Sequence, residues 1–512
     1  MKNINNYITV IGGGLAGTEA SYQIAKRGIK VKLYEMKPEK FSPAHSNQNL
    51  AEIVCSNSFK SNAITNACGL LKEELRRLDS LLIKCADETS VPAGQALAVD
   101  REAFSKLVTS KLEGNKNIEI IRKEFTKEDF KDGNIYIIAT GPLTSDKMAD
   151  YISSITNKDR LFFYDAAAPI ITKESIDMNI AFYGDRYGKE GDSSYINLPM
   201  NKEEYEVFYN ELVNAETVQL HKFEKKEIFE GCMPVEVMAK RGKDTIRYGM
   251  LKPVGFTDPR TNTRPYAIVQ LRQDNFEGNL YNMVGFQTNL KFDEQKRVFS
   301  LIPGLANAEF IKYGVMHRNT YINSPELLDE TYNLKQNRNI YFAGQISGVE
   351  GYVESIASGL VAGINACLDI RGEKLEERSE RIVFPKETVI GALANYISTP
   401  NKNFQPMNAN FGILPEIEPR IKDKKLRYNA LAQRSLSSLP LICQEGRGIL
   451  AHICQKVCQE GRGILAHICQ KVPGGTGNFG TYLPKSEQKE QNNAKKPLAK
   501  NLSPSALTCS IV

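Results

Sequence analysis

No apolar run in this 512-residue chain approaches the roughly 20 residues needed to span a bilayer. The first residues enter a strand-like pattern, without the signature of a secretory signal. A cytoplasmic protein is therefore expected. Excess charge is also scarce. The formal net charge is +6, and most of it comes from residue 441 onward, where nine Lys/Arg face four Asp/Glu. The first 440 residues are nearly neutral, so total charge does not mark a nucleic-acid binder, and local basic stretches would have to do so. C-x₂-C pairs are missing as well. Ten cysteines in a chain of this class are expected to be thiols and not a disulfide framework. What remains is ordinary globular composition, 41% apolar and 25% charged, with room for two or three domains.

The stretch that stands out is Tyr7 to Glu35, YITVIGGGLAGTEASYQIAKRGIKVKLYE. An apolar run (Tyr7 to Ile11) meets a glycine cluster, and an apolar-periodic segment follows to Arg27-Gly28. A second apolar run, Val31 to Tyr34, stops at an acid. Gly12, Gly14 and Gly17 have the G-x-G-x-x-G spacing in a strand–turn–helix context. The first glycine permits a tight turn, the second lets backbone approach a pyrophosphate, and the third lets helix and strand pack closely. Gly13, Leu15 and Ala16 complete the turn, whose free N–H groups can face phosphates. Glu35, 23 residues after Gly12, is placed to accept hydrogen bonds from a ribose diol. The chain carries its own control. Gly475, Gly477 and Gly480 match the same spacing, but no apolar strand precedes them and Pro484 obstructs a following helix. That copy is read as noise.

Further along, helical patterns cover Gly69 to Lys84 and Asp100 to Leu112, and NIYIIA (Asn134 to Ala139) reads as a buried strand ending in Thr140-Gly141-Pro142. From about 151 to 330 the texture changes to short strand-like runs such as LFFYDA and IRYGML. At Asn339 the dinucleotide-like texture resumes: a strand, Ile340 to Ala343, ends at Gly344-Gln345, and a small-residue helix runs from Tyr352 to Ala366. Its glycines and alanines allow close backbone approach, and its N-terminal dipole can face a phosphate. Arg371 to Arg381 reads as a charged linker, followed by a helical region through Asn395. KDKKLR (Lys422 to Arg427) is a basic cluster in a terminal helix, either a solvated face or a nucleic-acid contact. Cys443 to Val457 is repeated without change as Cys458 to Val472. Its thiols fall at intervals of 11, 4 and 11, without C-x₂-C pairs, so no metal site is expected. The polar remainder suits a disordered tail.

Several long motifs, VIGGGLAGTEA, NLAEIVCSNSFKS, FEGCMPVEVMAKRG, GMLKPVGFTDPRT, FAGQISGVEGYVESIASGLVAG and NFGILPEIE…KDKKLR, give the chain a resemblance to the folate- and FAD-dependent tRNA (uracil-5-)-methyltransferases. It covers nearly all of residues 5 to 436, and the tail departs from it. The resemblance implies an α/β fold: a Rossmann-like FAD-binding domain split by an α+β insertion domain. The expected parts are 1–150 and 331–440 for the FAD domain and terminal helices, 151–330 for the insertion, and 441–512 for the atypical tail. It also implies FAD as cofactor, with 5,10-methylenetetrahydrofolate and NAD(P)H as cosubstrates. The substrate it implies is a uridine of tRNA, in the T-loop, with rRNA as the alternative; no membrane and no obligate protein partner are expected. A wobble-uridine-modifying flavoenzyme is the nearest rival.

Two cysteines map onto the family's reacting pair: Cys55 in IVCSNSF and Cys232 in EGCMPVE. Uracil carbon-5 becomes nucleophilic only after a thiolate adds to carbon-6, and a second group must remove the carbon-5 proton. Cys55 is taken as nucleophile and Cys232 as base, or the reverse, with the flavin ferrying the methylene. Cys68, Cys85 and Cys367 read as core residues. Lys240, Arg241, Lys243, Arg260 and Arg264 suit phosphate or folate-glutamate contacts or a solvated loop, and His317-Arg318 is a further polar pair.

Overall fold

The computed structural model describes residues 7–156, 161–185, 195–218, 233–375, 381–402 and 404–439; the side chains of 161–165, 317–318 and 372–375 are left aside. Cys232, both repeated segments, the second glycine match and the His317-Arg318 side chains therefore lie outside the described residues.

Five strands, Tyr7–Ile11 (β1), Lys30–Glu35 (β2), Ile118–Arg122 (β3), Tyr136–Ile138 (β4) and Asn337–Phe342 (β5), pair in parallel in the order β3-β2-β1-β4-β5. Asn333–Leu334 adds an antiparallel edge on β5. β1 is central, and it is buried on both faces, through Ile8 and Val10 on one and Thr9 and Ile11 on the other, as a strand covered on both sides requires. The chain leaves β1 towards β2 on one side and meets β4 on the other. That reversal is the switch point at which open α/β sheets bind ligands, beyond the C-terminal ends of the strands.

The helices that frame this sheet are Leu15–Lys26 (α1), Ala67–Arg77 (α2), Tyr352–Leu375 (α3), Val389–Ser398 (α4) and Lys424–Ser438 (α5). α1 and α3 pack backbone to backbone: a Cβ at Gly359 would lie 2.2 Å from the Ala16 carbonyl oxygen. The small-residue texture of α3 therefore serves a helix–helix contact. α2 ties in the two last helices. Its fully buried Glu74 accepts hydrogen bonds from the Val389 and Ile390 N–H groups at the start of α4 (2.8 and 2.9 Å) and from Ser435 Oγ of α5 (2.5 Å).

A second sheet is antiparallel throughout, in the order Phe182–Tyr183, Tyr195–Met200, Ala267–Gln273, Leu280–Met283, Ile170–Thr172, Phe310–Lys312. Helices Lys202–Asn214 and Phe292–Phe299 share its core through Tyr205, Phe208, Leu212, Val298 and Phe299. Leu161–Ala166 and Met316–Tyr321 pair antiparallel where the chain enters and leaves this region. All the described residues fall within one compact unit.

Several readings are corrected. Gly69 to Lys84 is two helices, because Asp79 adopts a left-handed φ of 61° and Ser80 caps a new helix, Leu81–Glu88, by accepting from the Ile83 N–H. IRYGML is helical at its start, within Lys243–Tyr248. Only Ile246 of its first three residues is buried, and the Arg247 guanidinium stacks 3.8 Å from the Tyr266 ring centre. The expected linker from Arg371 begins inside α3, where Arg371 donates to the Arg27 carbonyl (2.6 Å). One helix, Tyr352–Arg371, is after all long and apolar enough to cross a bilayer by length and composition. It is 83% buried, against α1 among others, and so behaves as a core helix.

Candidate active site

A cleft of about 1180 Å³, partly open to solvent, opens at the ends of β1 and β4. Gly12 turns the chain with φ +104°, and a Cβ there would lie 2.4 Å from the Ala139 carbonyl oxygen. Gly17 is tighter still, since its Cβ would fall 1.9 Å from the Gly12 carbonyl oxygen. Gly14 is the opposite case: no protein atom comes within 4 Å of a Cβ placed there. Its missing side chain leaves open space on the cleft side. No side chain caps the N-terminus of α1 and no acid lies in its first turn, so its orphan N–H groups and dipole are available to an anion.

Of the expected cofactor residues, Gly12, Gly13, Gly14, Leu15, Ala16, Glu35, Gly344 and Gln345 line this cleft. Gly17 does not; it lies beneath the turn and lets α1 approach β1. The Glu35 carboxylate is held by the Gly13 N–H at 3.0 Å and the Lys37 N–H at 2.9 Å. Each oxygen keeps a lone pair for a diol. Gly344 has φ +83° and its N–H donates to Ser358 Oγ (2.7 Å), while the Gln345 amide is tied to Glu350.

The sequence did not single out several residues around the same cleft. Lys37 is 4% exposed and pairs with Glu52 at 3.1 Å, and Ser42 Oγ lies 2.5 Å from His45 Nδ1. They sit in the proline-containing loop after β2, which has no periodicity to read. Thr140 and Gly141, which the sequence did mark as the end of a buried strand, line the opposite wall.

Cys55 is half-buried in a strap from Ile53 to Ser58. Its N–H and that of Ser56 both donate to Tyr352 Oη, at 3.0 and 3.1 Å, and its Sγ lies 3.7 Å from the Ala166 carbonyl. Tyr352 begins α3 and lines the cleft. The other side of the strap is gripped by the antiparallel sheet. Arg272 donates to Asn57 Oδ1 (2.9 Å) and Ser56 Oγ (2.7 Å), and Asn57 Nδ2 donates to the Gln273 carbonyl (2.9 Å). Arg101, paired with Asp274 at 3.0 Å, also donates to the Ile53 and Val54 carbonyls. Lys312 reaches the Val54 carbonyl at 3.5 Å; burial, then the Arg101 charge, pushes its ammonium below the usual lysine range.

Cys232 itself is not described. The residues after it are firmly placed: Val235 N–H donates to the Gln287 carbonyl (2.7 Å), and Glu236 accepts from Thr288 Oγ1 and the Asn289 N–H, both at 2.8 Å. Two of the expected phosphate-binding cations are spoken for, Lys243 by Glu206 (2.5 Å) and Arg260 by Asp258 (2.7 Å). Cys68, Cys85 and Cys367 are core thiols, each pushed up to about 12 by burial.

A family model described as glucose inhibited division protein A matches residues 7–374. A protein of Acetivibrio thermocellus named methylenetetrahydrofolate--tRNA-(uracil-5-)-methyltransferase TrmFO is 62% identical over 435 residues, covering 85% of this chain and 98% of that one. Proteins of the same name from Pelotomaculum thermopropionicum and Fusobacterium nucleatum are each 58% identical, covering 84% of this chain and 97% and 98% of theirs. Among solved structures, Aquifex aeolicus GidA aligns with TM-scores of 0.60 and 0.58 in two crystal forms, at 17% and 16% identity, over 89% and 90% of this chain and 79% and 77% of that one. That likeness is one of fold.

Proposed function

Because the chain belongs to the folate- and FAD-dependent tRNA (uracil-5-)-methyltransferase family, we propose that it methylates carbon-5 of a uridine in tRNA, the T-loop uridine, with 5,10-methylenetetrahydrofolate as one-carbon donor. The observation that carries this reading is the junction at Tyr352. One side chain borders the dinucleotide-type cleft and also holds the backbone of the Cys55 strap.

The residues at the cleft suit FAD. The uncapped start of α1 with the open face of Gly14 would receive the pyrophosphate, and Glu35 the ribose. Gly344 and Gln345 would border the opposite side. Bound FAD supplies the reducing equivalents, drawn from NAD(P)H, that turn the transferred methylene into a methyl group.

The remaining work falls to the chain's own side chains. A cysteine thiolate adds to uracil carbon-6, which places enolate density on carbon-5 for attack on the one-carbon unit. The second cysteine takes the carbon-5 proton, and loss of that proton expels the first as thiolate and restores the ring double bond. We assign addition to Cys55 and proton removal to Cys232; exchanged roles would give the same product. The strap's contacts to Tyr352 of α3 and to the antiparallel sheet hold Cys55 in one position, as an attacking group requires. A tRNA substrate and an NAD(P)H reductant also suit a cytoplasmic enzyme.

The test is nucleoside mass analysis of RNA lacking 5-methyluridine, incubated with the protein, methylenetetrahydrofolate and NAD(P)H and separated into tRNA and rRNA. New 5-methyluridine in tRNA is expected. Product in rRNA alone would change the substrate and keep the chemistry. Wild-type turnover by both Cys55→Ala and Cys232→Ala would overturn the mechanism.

A further inference from the structure

A second groove, of about 690 Å³, lies between the segment Phe411–Arg420 and the first turns of α5, and shares no lining residue with the cleft. Its floor is aromatic: Phe411 and Tyr428 have ring centres 4.5 Å apart. Lys424 Nζ and the Arg427 guanidinium stand 5.5 and 5.7 Å from the Tyr428 ring centre, and Arg420 and Arg427 line the walls. Glu416 is the acid in the lining.

The cations here are clustered. Arg420, Lys422, Lys424, Lys425 and Arg427 fall within eight residues and form no ion pair among the described residues. Asp423, the acid within the run, is used as the helix cap, accepting from the Leu426 N–H at 2.7 Å. In addition, Lys424, Lys425 and Arg427 occupy the first turn of α5, which contains no acid. Cations there oppose the helix dipole and one another. The local sequence is thus arranged against its own helix energetics, and a polyanion relieves that cost.

We infer that this groove is a second docking surface for the substrate RNA, where Arg420, Arg427 and the neighbouring lysines grip the phosphodiester backbone. The inference rests on the RNA-methylating reading of the cleft. A guanidinium beside an aromatic floor, as at Arg427, suits phosphate oxygens. Leu426 is the one large apolar residue of α5 that is strongly exposed, which is too little apolar surface for a lipid bilayer or an obligate protein contact.

The experiment uses the full chain and an unmodified tRNA transcript, with dissociation constants measured by fluorescence anisotropy at about 50 and 200 mM KCl. Arg420→Gln/Arg427→Gln is expected to bind about tenfold more weakly and to lose about two from the slope of log affinity against log salt. Arg420→Lys/Arg427→Lys should recover most of the slope, because charge is retained. Lys422→Gln/Lys425→Gln, at two exposed positions, should lower the slope in the same sense. Arg297→Gln, outside the groove, is the control and should bind as wild type. Unchanged affinity and slope in both Gln pairs would overturn the docking surface, even if the wild-type chain makes 5-methyluridine. Binding to anionic vesicles but not to RNA would overturn it in favour of a membrane. A wild-type chain that makes no 5-methyluridine while the Gln pairs lose RNA affinity would sink the reading of the cleft and leave the groove standing.

Discussion

The backbone N–H of Cys55 donates to the phenol oxygen of Tyr352 at 3.0 Å, although the two residues are 297 apart in the chain. The same oxygen accepts from Ser56, so one hydroxyl satisfies two successive N–H groups of the strap. Tyr352→Phe leaves both without that acceptor, at a cost of about 1–2 kcal/mol, and frees the strap beside the cleft. Methylation should fall more than tenfold while FAD content, read from absorbance, changes little. Undiminished turnover would show that the strap is held without this hydroxyl.

Gly14 and Gly17 should respond differently to alanine. At Gly14, with φ −76° and no neighbour near a Cβ, alanine should leave stability within about 1 kcal/mol and crowd a bound pyrophosphate. At Gly17 the Cβ would meet the Gly12 carbonyl at 1.9 Å, and α1 must move. Thermal melts and flavin titration of the two variants separate these effects. The expected result is a stable, FAD-poor Gly14→Ala and a destabilised, FAD-poor Gly17→Ala.

Arg101 joins the strap to the antiparallel sheet through Asp274, whose side chain is only 5% exposed. Arg101→Met leaves that carboxylate buried without its cation. A loss of about 3 kcal/mol is expected, together with lower activity, because the Arg101 donor to the Ile53 carbonyl is lost and the Val54 carbonyl keeps only Lys312. Denaturant titration checks the first and nucleoside analysis the second.

Glu74 makes stability depend on pH. Burial, only partly offset by the Ser435, Val389 and Ile390 donors, raises its carboxyl from 4.5 to about 7. The folded chain then holds a proton that the unfolded chain releases. Its contribution to stability is therefore full below about pH 4.5 and is lost as pH rises towards about 7, by at most about 3 kcal/mol. Unfolding of wild type and Glu74→Gln compared at pH 5.5 and 7.5 should show a smaller pH difference in the variant. Equal differences would assign the pH dependence to other groups.

The first 35 residues were legible because their meaning is local. A strand, a glycine turn and a helix occupy consecutive residues, and steric demands at Gly12 and Gly17 arise from neighbours close in sequence or from the adjoining strand. Secondary structure failed where a single residue intervened, as with left-handed Asp79 between two helices that share one apolar pattern. The loop residues Lys37, Ser42 and His45 were missed because an irregular segment carries no period, and their roles come from contacts made after folding.

By itself the sequence determined the chemistry available: a phosphate-cradling turn, an acid at the end of the next strand, and a cysteine in a distinctive motif. Only the tertiary structure decided how these meet. Tyr352 reaches Cys55 across 297 residues, and the strap is also reached by Arg272 from the antiparallel sheet and by Arg101 from the start of the helix Arg101–Glu113. Such contacts are set by the packing of two cores, which no local pattern encodes, because a side chain's partner depends on where every intervening element has been placed.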